Sequence, residues 1–325
     1  MATGYEFGFL DGTTSPPPWN FLAQTGPIQQ VMPFLSGFTL QVVSGSVNGE
    51  LFDPDVWYRL QNLDLRALVR HVNGTWCGLD SWGWLSTGKD GVAAVTAQVG
   101  VLVTTFLPDA AAAAGAPPPP SGPALATIGA GAGAATDIPI ASSTYDRAFA
   151  AIAGFSGGYD NGDVHFLQQV QVIASAATSG TTMGFTPTFV LEDSAPNTGT
   201  GAIDAAAVAF DLSTPPPFQV VAVPATIDQL DGTTAIPIPF KNPVSSYVLA
   251  LQSFDLGWTA GGDSNNFPVE LISLIVNPTQ PGSGNPTATP TFTATAIVQG
   301  KWSTDETKQT PPATLGNVTW LAIGI

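Results

Sequence analysis

The chain has 325 residues, of which 44% are hydrophobic and only 10% charged, and its 24 acids against 8 bases give a formal net charge of −16. So few bases exclude phosphate-backbone binding, which needs Lys and Arg, and docking on anionic lipid. One cysteine, Cys77, leaves no intrachain disulfide, and no apolar run reaches the roughly 18 residues of a membrane span.

Low charge points to a surface rich in Thr, Ser, Asn and Gln or covered by partners, and hence to assembly. The start, Met1-Ala2-Thr3-Gly4-Tyr5-Glu6, has neither a basic n-region nor an apolar h-region. The expected setting is a virion or extracellular particle, assembled in the cytoplasm without a signal peptide.

In chain order, 35 Gly and 29 Pro punctuate short runs of Val, Ile, Thr and Phe, which is the pattern of strands and turns. Phe38 to Val43 and Val92 to Phe106 read as strands. Trp57 to Val72 reads as a helix or as a pair of strands. Ala110 to Gly122 and Ser213 to Pro217 are low-complexity breaks. They set an N-terminal β-rich anchoring module (1–109), an Ala/Pro/Gly linker (110–134), a first sandwich (135–213), a connector (214–234) and a second sandwich (235–325). Pro281 to Pro290 reads as a mobile loop.

The two sandwiches repeat one another. Ile138-Pro139-Ile140 corresponds to Ile236-Pro237-Ile238, Tyr145–Phe155 to Tyr247–Phe254, and Phe166–Ala174 to Phe267–Val276. Thr186–Phe189 corresponds to Thr289–Phe292, and Ala207–Phe210 to Trp320–Ile323. The offset grows along the chain, as loop insertions between retained strands produce. Alternation places Tyr145, Phe149 and Phe155 on one face, as it does Tyr247, Leu249 and Leu251, and Phe267, Val269 and Leu271. The fold class expected is all-β: tandem six-stranded antiparallel β-sandwiches after a β-rich N-terminal module, which shows no copy of the repeat.

The C-terminal copy resembles the H-type lectin family. The resemblance is carried by Ile236–Phe240, Pro243–Asp255, Phe267–Val276, Ala294–Trp302 and above all Val318-Thr319-Trp320-Leu321-Ala322-Ile323. It implies a homotrimer, a sugar site between protomers, and occurrence in phage tail proteins. Carried over by position, Trp302 with Ser303 stands where the family presents an aromatic and often a His, and Asp255 where it has an acid. The family's Arg has no counterpart in Phe267–Val276. In the first copy Glu192 and Asp193 take the place of Trp302.

Other constellations carry no chemistry. His71 and His165 have no Cys or paired acid at metal spacing. No G-x-S-x-G elbow is present. Gly129 to Ala134 lacks the Lys-Ser/Thr of a phosphate loop and reads as linker. The acid-rich turns Asp53–Asp55, Asp160–Asp163 and Asp263–Asn266 do not follow the calcium-loop pattern. Trp76, Trp82 and Trp84 read as core or as a docking patch. The expectation is therefore a non-enzymatic structural protein with no cofactor and no metal. It would dock on other particle subunits through its N-terminal module and present lectin-like sandwiches to a host-surface glycan. The alternative is an architectural decoration, spacer or cement protein without a ligand.

Overall fold

In the computed structural model the described residues are 3–10, 20–23, 28–43, 60–73, 76–87, 92–106, 124–131, 136–139, 147–159, 167–179, 182–193, 198–210, 218–258, 269–281, 284–287, 289–301, 308–309 and 313–325. Among them the chain is all-β, every named strand pair is antiparallel, and the one helical element is a single 3-10 turn, Ile227–Gln229. The first unit comprises β1 (Thr3–Leu10), β2 (Asn20–Ala23), β3 (Ile28–Val43), β4 (Leu60–Asn73), β5 (Trp76–Thr87) and β6 (Val92–Phe106). The middle unit comprises β7 (Ala124–Gly131), β8 (Thr136–Pro139), β9 (Arg147–Gly158), β10 (Leu167–Ser179), β11 (Thr182–Asp193) and β12 (Thr198–Phe210). The last unit comprises β13 (Gln219–Thr226), β14 (Ile236–Pro237), β15 (Tyr247–Trp258), β16 (Val269–Pro278), β17 (Thr291–Lys301), the short β18 (Lys308–Gln309) and β19 (Ala313–Gly324).

One pairing scheme occurs three times. Within each unit the first strand pairs the last and the last pairs the third, giving β1-β6-β3, β7-β12-β9 and β13-β19-β15. The fourth pairs the fifth and the fifth pairs the second, giving β4-β5-β2, β10-β11-β8 and β16-β17-β14. Sheets then continue from unit to unit. The third strand of each pairs the fourth of another: β3 with β16, β9 with β4, and β15 with β10. These three ladders close a ring, so one chain forms a pseudo-threefold assembly. One sheet is the first unit's β1-β6-β3 joined to the last unit's β16-β17-β14. The twelve-stranded sheet is the two other such sheets, linked by the short contact of Leu191 and Glu192 with Gly199 and Thr198.

A bulge in each third strand makes this possible. Midway along the ladder to the last strand one residue is extra, Ser36, Ala153 or Gln252, and β3 carries a second at Gln29 near its start. An extra residue bends a strand and exchanges its faces. Before the bulge, Met32 and Phe34, Phe149 and Ala151, and Val248 and Ala250 pack on one another in a core shared by all three units. After it, Phe38, Phe155 and Phe254 turn into the sandwich interiors. These three rings, each two residues past its bulge, meet as a triangle with centroids 5.5, 5.1 and 5.4 Å apart. Each contact adds about 0.5–1.5 kcal/mol to the burial of its rings. They join the three interiors into one continuous core.

The shared core is not threefold in detail. Phe34 pairs Gly100, Ala151 pairs Ala206, and Ala250 pairs Leu321 in one layer. A methyl group at Gly100 would collide with the Phe34 ring. Beside the small Ala151 and Ala206 of the middle unit, a small apolar cavity of about 20 Å³ remains, lined also by Phe149, Met32, Phe34, Leu102 and Leu321.

Several expectations change. The N-terminal module is a third copy of the repeat by topology, so its strands belong to the ring, and the sandwiches are not independent beads. Trp57–Val72 is neither a helix nor a strand pair where it is described: from Leu60 on it lies in the single strand β4, with Leu63, Leu65 and Ala67 buried and Asn62, Asp64 and Arg66 half-buried on the other face. The linker segment holds β7, an edge strand fixed by its backbone ladder to Ala202–Ala209, and the connector segment holds β13. Ala- and Gly-rich strands carry few bulky side chains and so read as linker. Phe149 and Phe155 lie on opposite faces because of the bulge at Ala153. In β16 a register shift beside Glu270 turns Ile272, Leu274 and Val276 inward, while Leu271 is only half-buried. Ladder register sets Trp320 against Leu251 and Ala205 against the equivalent Ile152, so Ala205, not Ala207, matches Trp320. The Pro281–Pro290 segment is tied to the fold by paired backbone hydrogen bonds between Val244 and Thr287 of 2.9 and 3.1 Å.

Two outcomes follow from a ring with one core. Urea unfolding is expected to show one transition by fluorescence and circular dichroism together, where independent sandwiches would give separate ones. Phe155→Ala is expected to cost about 3–5 kcal/mol in that transition, although it lies in only one unit.

Candidate functional site

The three ladders between units place polar residues at equivalent positions. The polar residue after the triangle Phe is Thr39, Ser156 or Asp255, and it faces Ser273, Asp64 or Gln171 respectively. The chain has therefore built one junction three times with different side chains.

Asp255 sits at the junction of the last and middle units. Its two carboxylate oxygens accept hydrogen bonds from Gln169 Nε2 at 2.7 Å and Gln171 Nε2 at 3.0 Å. Both donors are on β10, so this acid ties two units together. At the junction of the first and last units, the Thr39 and Ser273 hydroxyls bond each other at 2.8 Å.

That first–last junction is further locked from within. Buried Gln98 on β6 donates from Nε2 to the Val276 carbonyl at 3.0 Å and accepts from the Val276 N–H at 2.8 Å, extending the ladder by a side-chain amide. Trp320 Nε1 donates to the carbonyl of the bulge residue Ser36 at 2.9 Å, and Ser36 Oγ donates to the Leu249 carbonyl. Trp320 is fully buried and packs edge-on against Phe292 with centroids 5.2 Å apart. The residue most specific to the C-terminal strand thus serves the ring.

The junction of the first and middle units is open. A groove of about 420 Å³ runs along the outer face, lined by Asn62, Asp64, Ser156 and Thr200 over Gly157, Gly158 and Gly201. The glycines follow from packing beneath: a Cβ at Gly157 or Gly201 would enter the Phe189 ring. Beside the groove, Arg66 donates to both Asp64 oxygens, Nε to Oδ1 at 2.9 Å and Nη2 to Oδ2 at 3.1 Å. Its Nη1 is 3.5 Å from Asp204. The hydrogen bond to Asp64 holds the guanidinium above its usual pKa, with partial burial opposing and the charges of Asp64 and Asp204 adding. A base on a fourth strand, absent from the C-terminal copy, therefore stands in the N-terminal one.

Trp302 and Ser303 lie outside the described residues, so of the candidate sugar-site residues only Asp255 is placed. His71 lies on β4, and Cys77, Trp76, Trp82 and Trp84 lie on β5, with their side chains outside the described residues, as are His165 and the turns at Asp53–Asp55, Asp160–Asp163 and Asp263–Asn266. Asp231 is exposed, and its carboxylate is held well below the usual range by hydrogen bonds from the Thr234 and Thr233 backbones, each 2.7 Å, and from the Thr234 hydroxyl. It is a turn anchor. Asp193 is buried, and burial first, then the Asp193 and Glu192 charges, push the Tyr159 phenol up. Among the described residues no group of three or more His, Cys, Asp or Glu side chains is arranged to hold a metal ion, and no helix is long and apolar enough to cross a membrane. Also among them, Ile325 is the one large hydrophobic residue exposed.

No family model, no curated protein and no solved structure matches this chain.

The ties predict distinct costs. Gln98→Ala strands the buried Val276 N–H and carbonyl and is expected to cost about 1–3 kcal/mol in chemical denaturation. Asp255→Ala is expected to cost about 1 kcal/mol by releasing two partly buried amides. No change on Asp255→Ala would show that the acid is not a tie.

Proposed function

We propose that the chain is an attachment protein of a virion, tail or similar particle, in which three β units of one chain take the places of three protomers and present junction faces to a host-surface glycan. The observation that carries this reading is the closed ring with a polar groove at a junction between units, the place where the resembling family has its sugar site. A rigid ring suits attachment, because a preformed site loses little entropy on binding. The sparse charge suits a surface that works by hydroxyl and amide contacts. No step of covalent chemistry is assigned.

The homotrimer expected from the sequence takes a different form in this proposal. Edge pairing and apolar burial, which trimerisation would supply, are supplied within the chain by the three ladders and the shared core. The first unit's β3 and β4 are engaged in those ladders, so contact with other particle subunits falls to faces outside them. A second reading, decoration or spacer without a ligand, is favoured by Asp255, whose carboxylate is taken up by two glutamines.

Light scattering at micromolar concentration is expected to give the mass of one chain. A three-chain mass would contradict the intramolecular ring as the functional unit. On a glycan array the chain is expected to bind at least one glycan class, and binding to none would favour the spacer reading.

A further inference from the structure

We infer that the ring opens at its middle unit: β9 and β10 part from β4 and β15 in one movement, the first and last units stay joined, and the shared axial core is uncovered. This is a conformational device of the fold and does not depend on the glycan reading.

The side chains that cross the junctions carry it. The backbone ladders do not separate the three, since the one between the first and last units, 38–41 with 271–274, is the shortest. Its ties are buried. Gln98, 6% exposed, spans both backbone groups of Val276, the Trp320 indole donates to the Ser36 carbonyl, and the Ser36 hydroxyl donates to the Leu249 carbonyl. Breaking them strands buried donors and acceptors, which is where losing a hydrogen bond costs most. The middle unit is held from outside. It meets the first unit through Asp204 and Arg66, 3.5 Å apart, with side chains 38% and 42% exposed. Losing such a pair to water shifts an equilibrium by no more than about fivefold. It meets the last unit through Gln169 and Gln171 with Asp255, all three half-buried, and water can serve these groups once the ladder parts.

At the axis the middle unit has least to lose. The first unit sets Met32 and Phe34 into the shared core and the last unit Leu321 and Ile323, whereas the middle unit's buried share there, among the described residues, is Ala151 and Ala206. Exposing an Ala methyl costs far less than exposing a Phe or Leu side chain, because the hydrophobic term follows the area returned to water. The cavity of about 20 Å³ lies where those alanines meet Met32 and Phe34, so packing contacts are already missing along the line of parting. Phe155 is the middle unit's hold on the axis; when it withdraws, the Phe38 and Phe254 rings, 5.1 Å apart, still face each other. Local openings of this kind lie below the free energy of global unfolding and are sparsely populated without denaturant, so urea still records one transition. Opening exchanges a polar outer face for an apolar one that contains Met32, Phe34 and Leu321.

The test is native-state hydrogen exchange, followed amide by amide in the full chain without denaturant, on wild type, Gln98→Ala and Asp255→Ala. In wild type the amides bonded across 62–66 with 154–158 and across 169–173 with 253–257 are expected to exchange together. They are expected to exchange at least about tenfold faster than those bonded across 38–41 with 271–274. Gln98→Ala removes a contact that the opening keeps, so it is expected to speed the first–last amides about tenfold and to leave both middle ladders unchanged. Asp255→Ala removes a contact that the opening breaks, so it is expected to speed both middle ladders about fivefold. Dilute hydrogen peroxide is expected to oxidise Met32, 1% exposed in the closed ring, at a rate that Asp255→Ala raises about fivefold and Gln98→Ala leaves unchanged. Equal exchange at all three junctions, or faster exchange at the first–last one, would overturn the inference. So would speeding of the β10–β15 ladder alone by Asp255→Ala, or a Met32 that oxidises no faster in that variant. The wild-type order by itself decides the matter if either variant fails to fold.

Discussion

The structure depends on the third strand of each unit having two jobs. Its first half must pack on the shared core around the pseudo-threefold axis, and its second half must fill its own sandwich while pairing with a neighbour. A regular strand cannot do both, because its side chains alternate with period two and each face stays where it began. The extra residue at Ser36, Ala153 and Gln252 exchanges the faces. Phe38, Phe155 and Phe254 then reach the axis from the far side and close it.

Placing three units in one chain frees each from symmetry. Identical protomers would put three Phe or three Ala in the same axial layer, giving overcrowding or a void. Here Phe34 over Gly100 is set against Ala151 with Ala206 and Ala250 with Leu321. The same freedom extends to the outer faces. One junction is cross-linked by a buried glutamine and a tryptophan indole, one by a carboxylate between two amides, and one is left as a groove.

Strand class was legible in the sequence because alternation and Gly/Pro punctuation are local. The duplication of the last two units was legible where hydrophobic strands resemble each other. The third copy was not, because the units share pairing more than residues: the bulge position is Ser, Ala or Gln, and β7 is a strand of small residues. A signal was present in the tripeptides Gly37-Phe38-Thr39, Gly154-Phe155-Ser156 and Ser253-Phe254-Asp255, each a small residue, the triangle Phe and an outward polar group. Asp255 stood out in the sequence as a sugar-site acid by resemblance, but its part in tying two units was not legible, because its glutamine partners lie 84 and 86 residues away. The groove was not legible at all, because Asn62, Ser156 and Thr200 meet only once the ring closes.

Closure of the ring at its axis is tested most directly by nuclear Overhauser contacts among phenylalanine rings, assigned with Phe38→Leu, Phe155→Leu and Phe254→Leu variants of the selectively labelled chain. The account predicts cross-peaks for all three pairs, 38 with 155, 38 with 254 and 155 with 254, each lost when either partner is replaced. A chain folded as three separate sandwiches would show none of them, and a missing contact between Phe38 and both other rings would remove the N-terminal unit from the ring.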